Sequence, residues 1–143
     1  IAVELDEAAA PFLTRSTPAG PRAFDRHGGV SETSRSLYLT PTLVDMSVAR
    51  TAPLTLRPHL EKMLPEVVAG DATATRVFLA EALKDESTGK GMSTREMTET
   101  GVWSALDVKA ATAERGRAET EASVAAAVAF IERWKELRPL GTK

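Results

Sequence analysis

From Ala111 to Leu137 the chain carries no proline, and Val124, Ala127, Val128, Ile131 and Trp134 recur at three- and four-residue intervals. That period places them on one apolar face of an α-helix. Glu119, Glu121, Glu132, Arg133, Lys135 and Glu136 fall mostly elsewhere on the wheel. High helix propensity and the Arg138-Pro139 stop complete the pattern, which predicts a long C-terminal helix with Trp134 as a packing residue.

Shorter patterns precede it. Ile1, Val3 and Leu5 alternate with Ala2 and Glu4, as in a strand. Asp6 to Leu13 reads as a short helix limited by Pro11, and Thr14 to Arg22 as a loop. A helix is predicted from Ser31 to Leu39, ended by Thr40-Pro41, with a short turn through Leu43 and Val44. Ala52 to Arg57 is extended or irregular. Pro58 suits a first helical position, and Leu60, Met63, Leu64 and Val67 follow at helical spacing, with Pro65 breaking or kinking the segment. Asp71 caps a helix predicted to run through Lys84, packing by Val77, Phe78, Ala82 and Leu83. Asp85 to Thr94 is a charged, glycine-rich loop.

Composition narrows the function classes. A chain of 143 residues that is 43% apolar can bury a core as one domain or part of one. A net charge of −2, with no basic run, argues against nucleic acid as a partner. No apolar stretch approaches the ~20 residues that span a bilayer, and the start lacks the features of a signal peptide. The absence of cysteine excludes disulfides and thiolate metal sites and fits a cytoplasmic setting. The chain opens on Ile1, directly in a strand-like pattern. The expectation is a missing N-terminal part, from a fragment or a processed precursor, rather than simple loss of a start methionine.

Candidate chemistry concentrates in Asp25-Arg26-His27-Gly28-Gly29-Val30-Ser31-Glu32-Thr33-Ser34. Of the two histidines, His27 and His59, His27 is followed at once by two glycines that permit unusual backbone and a close ligand approach. It is the leading candidate for acid/base work near neutral pH. The competing reading is a surface turn that contains a histidine. Glu32 either orients His27 or is a first-turn acid favoured by helix amides. Asp25 either holds the loop or imidazole or is a solvated turn acid. Thr33 and Ser34 read as caps or packing hydroxyls, and no Ser-His-Asp triad is legible. His59, in Arg57-Pro58-His59-Leu60, reads as a helix start.

The stretch His27-Gly28-Gly29-Val30-Ser31-Glu32-Thr33-Ser34, followed by Leu37, Leu39, Pro41, Leu43 and Val44, resembles the His-(Ala/Gly)-Gly-x-x-Glu-Thr-Ser signature of the creatininase (creatinine amidohydrolase) family. Downstream, Thr100-Gly101-Val102-Trp103 and Ala111-Thr112-Ala113-Glu114-Arg115-Gly116 resemble that family's Ser-Gly-Val and Ala-Thr-Ala-Glu-Lys-Gly elements. The resemblance covers about Ile1 to Leu137 and corresponds to the C-terminal half of the family fold. It implies an α/β fold: the C-terminal half of a creatininase-like sandwich with a mostly parallel sheet, here helix-rich and ending in the long helix. Residues 1–143 would then form the C-terminal part of one domain.

It further implies a metal-dependent amidohydrolase acting on a C–N bond of a small or cyclic amide. The family's Glu-x-His-Gly-Pro-His-like and Asn-Gly-His-x-x-Asn-like metal motifs are absent, and two histidines cannot supply a dinuclear site. No metal ligand is therefore assigned to this chain. A dinuclear divalent centre, Zn or Mn, would be bound mainly by a companion chain carrying the N-terminal metal-binding half, in a higher oligomer such as a hexamer. By the same resemblance, His27 and Glu32 are the catalytic candidates, with His27 a general acid for the leaving amine or a donor to the oxyanion. Phe24, Asp25, Gly28, Gly29 and Trp103 are the substrate-contact candidates, Trp103 serving the site, a subunit contact or simple packing.

Creatinine-cleaving members carry a tryptophan and an aspartate shortly before the histidine, and an acid immediately before it. Here the stretch is Ala23, Phe24, Asp25, Arg26, which makes creatinine itself a doubtful substrate. Arg26 pairs either with a substrate carboxylate or in a surface salt bridge. The alternative to an enzyme is a non-catalytic structural or interaction subunit that retains the fold. A third possibility, a small helical binding module outside the family, is disfavoured by the paired motifs.

Overall fold

The computed structural model describes residues 24–82, 97–139 and 141. The described residues are mainly helical: α1 (Val30–Leu39), α2 (Pro58–Val68), α3 (Ala72–Ala82) and α4 (Ala113–Leu137), with 3-10 turns at Pro41–Leu43 and Val108–Ala110. Among them the only β pairing is an isolated antiparallel bridge between Asp25 and Ser104. The strand predicted at Ile1–Leu5, the helix at 6–13 and the loop at 85–94 lie outside the described residues, and the expected mostly parallel sheet is not represented among those described. No described helix is long and apolar enough to cross a membrane.

Local chemistry explains most element ends. The Thr40 amide and hydroxyl both donate to the Ser36 carbonyl, closing α1 before Pro41. Asp71 caps α3 as predicted, its carboxylate accepting from the Ala74 amide at 2.6 Å. Thr112 caps α4 by accepting from the Arg115 amide, so this helix starts two residues later than predicted. α2 runs through Pro65 unbroken. The proline removes the donor that would meet the Glu61 carbonyl, and both residues lie on the exposed side of the helix. Leu60 and Val67 meanwhile stay buried on the opposite side.

Two packed units result. α2 and α3 close over a core of Phe24, Leu60, Val67, Ala74, Phe78, Met97 and Trp103. α1 and α4 form the second unit and run antiparallel: Ser31 Oγ donates to Glu119, while Ser34 Oγ accepts from the Thr112 amide. They approach closely because position 116 is glycine; a Cβ there would overlap the Ser34 carbonyl. A glycine inside a helix costs about 1 kcal/mol relative to alanine, which the close packing offsets.

The apolar face predicted on α4 is not the face that packs. Val124, Val128, Ile131, Trp134 and Leu137 are 43–70% exposed, whereas Gly116 and Ala126 are the residues of α4 that are buried. At about 1.5 Å per residue, the 10 residues of α1 cannot cover the 25 of α4. Glu119, expected on the solvated side, instead sits at the α1–α4 contact.

Candidate functional site

The site is built where the His27 loop meets the segment around Trp103. The Trp103 amide donates to the His27 carbonyl at 2.7 Å and the Arg26 amide to the Trp103 carbonyl at 3.0 Å. Ala105 N donates to the Phe24 carbonyl at 2.7 Å, so both edges of the loop are fixed to 103–105. Gly28 adopts φ +61°, a left-handed conformation that glycine takes without strain.

The Glu-Thr-Ser run then clamps the loop from the helix side. Glu32 Oε2 accepts from the Gly28 amide at 2.8 Å, and Thr33 Oγ1 donates to the Gly28 carbonyl at 3.1 Å. Ser34, fully buried, bonds the Thr112 amide at 3.1 Å. The two motifs read separately in the sequence therefore touch: Ser34 lies against Thr112 and Gly116 of the second. Thr33 and Ser34 act as packing and bonding hydroxyls, as their sequence context predicts.

His27 lies on the surface of this frame, its side chain 59% exposed. Its ring stacks on Trp103 with centroids 5.9 Å apart and 18° between planes. Trp103 is itself buried and packs over Phe78 at 6.2 Å, while Phe24 meets it edge-on at 5.0 Å. The imidazole thus rests on an aromatic column rooted in the core. His27 Nδ1 is 4.0 Å from Glu32 Oε1, an ion pair only when the imidazole is protonated. Glu32 holds the loop backbone with one oxygen and faces His27 with the other; the amide it accepts belongs to Gly28, one residue before the N-cap, and not to the helix itself.

Gly28 and Gly29 form the turn beside His27, Gly29 buried. Phe24 and Trp103 lie beneath the loop, and the Trp103 Nε1–H is buried without a hydrogen-bond partner. Both Asp25 oxygens accept backbone amides, from Val30 and Ser31. The Arg26 guanidinium lies 5.9 Å over the Phe24 ring. His59 is exposed near the start of α2.

Sequence reasoning missed Glu119. Its carboxylate accepts from Ser31 Oγ and from Arg115 Nε, both at 2.7 Å, with Arg35 Nε at 3.5 Å. Burial alone would raise its pKa, but the bonds from Arg115 and Ser31 and the charges of Arg115 and Arg35 hold it below the ordinary value. The readable signal was Arg115 four residues before it on one helix face.

Among the described residues no group of three or more His, Cys, Asp or Glu is placed to hold a metal ion. His27 and Glu32 alone, with Glu32 already accepting a backbone amide, do not fit a dinuclear centre.

Neither a curated protein nor a solved structure matches the chain significantly. The family model described as creatininase, creatinine amidohydrolase, matches residues 4–131. With that match spanning most of the sequence and the two motifs joined at the loop, the chain belongs to the creatininase family of metal-dependent amidohydrolases.

Proposed function

We propose that the chain is a subunit or processed C-terminal fragment of a creatininase-like amidohydrolase, and that His27 handles the proton in cleavage of a C–N bond of a small or cyclic amide. The observation that carries this reading is the setting of His27: an exposed imidazole stacked on a buried indole, on a loop bonded from both sides. A general acid must be held in place yet reach solvent and substrate. Here the backbone is fixed and the ring is open. His27 protonates the departing nitrogen or donates to the carbonyl oxygen as it gains charge. Glu32 faces the imidazole across 4.0 Å, and Gly28 and Gly29 form the turn that presents it.

In this proposal the metal ligands belong to a companion chain, because the donors described here do not make such a site. A divalent metal held by that companion would supply carbonyl polarisation and water activation. This chain's contribution is the proton and the loop that carries it. The exposed apolar stripe of α4 supports the existence of a covering partner. Cytoplasmic residence and a higher oligomer complete the proposal. The second reading, a non-catalytic subunit, draws on the same absence of ligands.

Metal analysis of the purified native assembly, with the intact mass of every chain, tests the companion. Replacing His27 by Ala is expected to abolish turnover of amide substrates while assembly and metal content stay unchanged. Full activity in His27→Ala would sink the assignment.

A further inference from the structure

The start of α1 lacks the usual side-chain cap, because its N-cap residue is Gly29. The acceptor comes from upstream instead. Asp25 Oδ1 accepts from the Val30 amide and Oδ2 from the Ser31 amide, each at 2.9 Å. These are first-turn donors, and a carboxylate beside them is further favoured by the helix dipole. Reaching them from position 25 folds residues 25–30 into a closed loop, and His27 lies within it.

The fit at the base of that loop is tight. Gly29 has an ordinary φ of −78°, so its backbone would accept alanine. A Cβ there would nevertheless overlap Asp25 Oδ1. The glycine is needed for the carboxylate rather than for the turn. With both oxygens engaged by backbone amides, Asp25 acts on His27 through the loop.

We propose that Asp25 is the positioning residue for His27: the two hydrogen bonds its carboxylate accepts from the α1 amides set the loop so that the imidazole lies on Trp103. This rests on the reading of His27 as the proton-transferring group. The test uses the full chain with isotope-labelled histidine. His59, exposed on α2, serves as the internal reference. In the parent protein the His27 ring protons are displaced upfield by the Trp103 ring. In Asp25→Ala and in Gly29→Ala that displacement is lost and the His27 signals move to the position of His59. Near-UV circular dichroism of the Phe24–Trp103–Phe78 column is retained. Asp25→Asn, which keeps one acceptor oxygen, gives an intermediate displacement.

An unchanged His27 displacement in folded Asp25→Ala overturns the proposal and leaves Asp25 as a helix cap alone. Where Asp25→Ala does not fold, Asp25→Asn decides, and a parent-like displacement there overturns it equally. In the native assembly Asp25→Ala lowers kcat by up to about 100-fold, the scale of a small misplacement of a reacting group, with KM unchanged. If His27→Ala keeps full turnover while Asp25→Ala still moves the ring, the functional reading fails and the positioning role stands.

Discussion

The two halves of α4 obey opposite packing rules. Its first half, from Ala113 to about Ser123, meets α1 through a glycine, small residues and a half-buried carboxylate held by two arginines. Its second half, from Val124 to Leu137, carries the larger apolar side chains and leaves them exposed. Size of side chain is thus inverted with respect to burial. Close helix approach selects Gly116 and Ser34, because anything larger separates the backbones. Val124, Val128, Ile131, Trp134 and Leu137 lie past the stretch of α4 that is hydrogen-bonded to α1 and stay exposed, while the small Ala126 among them is buried. An apolar stripe in a sequence declares a preference for cover; it does not say that the same chain provides it.

The sharpest way to break this contrast is Gly116→Ala. The substitution raises helix propensity by about 1 kcal/mol, yet its Cβ would meet the backbone of Ser34, which has no rotamer to yield. Net destabilisation of about 2 kcal/mol is expected from overpacking, read as a lower urea midpoint at unchanged slope. Parent-like stability would show that the helices are not held at contact distance.

Next in size is Glu119. Removing its side chain by Glu119→Ala should cost about 1.5 kcal/mol, since it breaks hydrogen bonds from two charged or polar donors. Its pH dependence has a definite sign. The folded pKa is lowered, so the stabilisation is fully present above the unfolded value near 4.5 and is lost as pH falls through the folded one. Urea midpoints from pH 7 down to pH 3 should fall more steeply in the parent than in Glu119→Gln. Parallel curves would remove Glu119 from the account.

Ser34→Ala should cost about 1 kcal/mol by leaving the Thr112 amide without its acceptor. The smallest effect belongs to the other half. Val128→Lys should change the stability of this chain by less than about 0.5 kcal/mol, as at ordinary surface positions. A large loss of stability would mean that the stripe is already packed.

Much of this architecture can be read from the residues alone. The period of α4, the Asp71 cap and the Thr40-Pro41 stop are local signals, and they appear where the pattern puts them. The pairing of the two motifs was legible as resemblance, and their contact through Ser34 supplies its physical basis. What the pattern could not disclose depends on distant partners. Which side of α4 packs is decided by where the ten residues of α1 lie. Glu119 looks like any surface acid until Ser31 and Arg35 arrive from another helix. Asp25 escapes recognition as a cap because it sits four residues before the N-cap, outside the usual capping window.

The stack of His27 on Trp103 also has an optical consequence. The sequence holds two tryptophans, and each belongs to a different region. Trp103 is enclosed beneath the loop, whereas Trp134 is open to solvent on the bare half of α4, edge-on to Phe130. Their emission should therefore separate by wavelength, and a water-soluble quencher should reach Trp134 alone. The molecule carries two built-in lamps, one lit by events at the imidazole and the other dimmed when something settles on the helix tail.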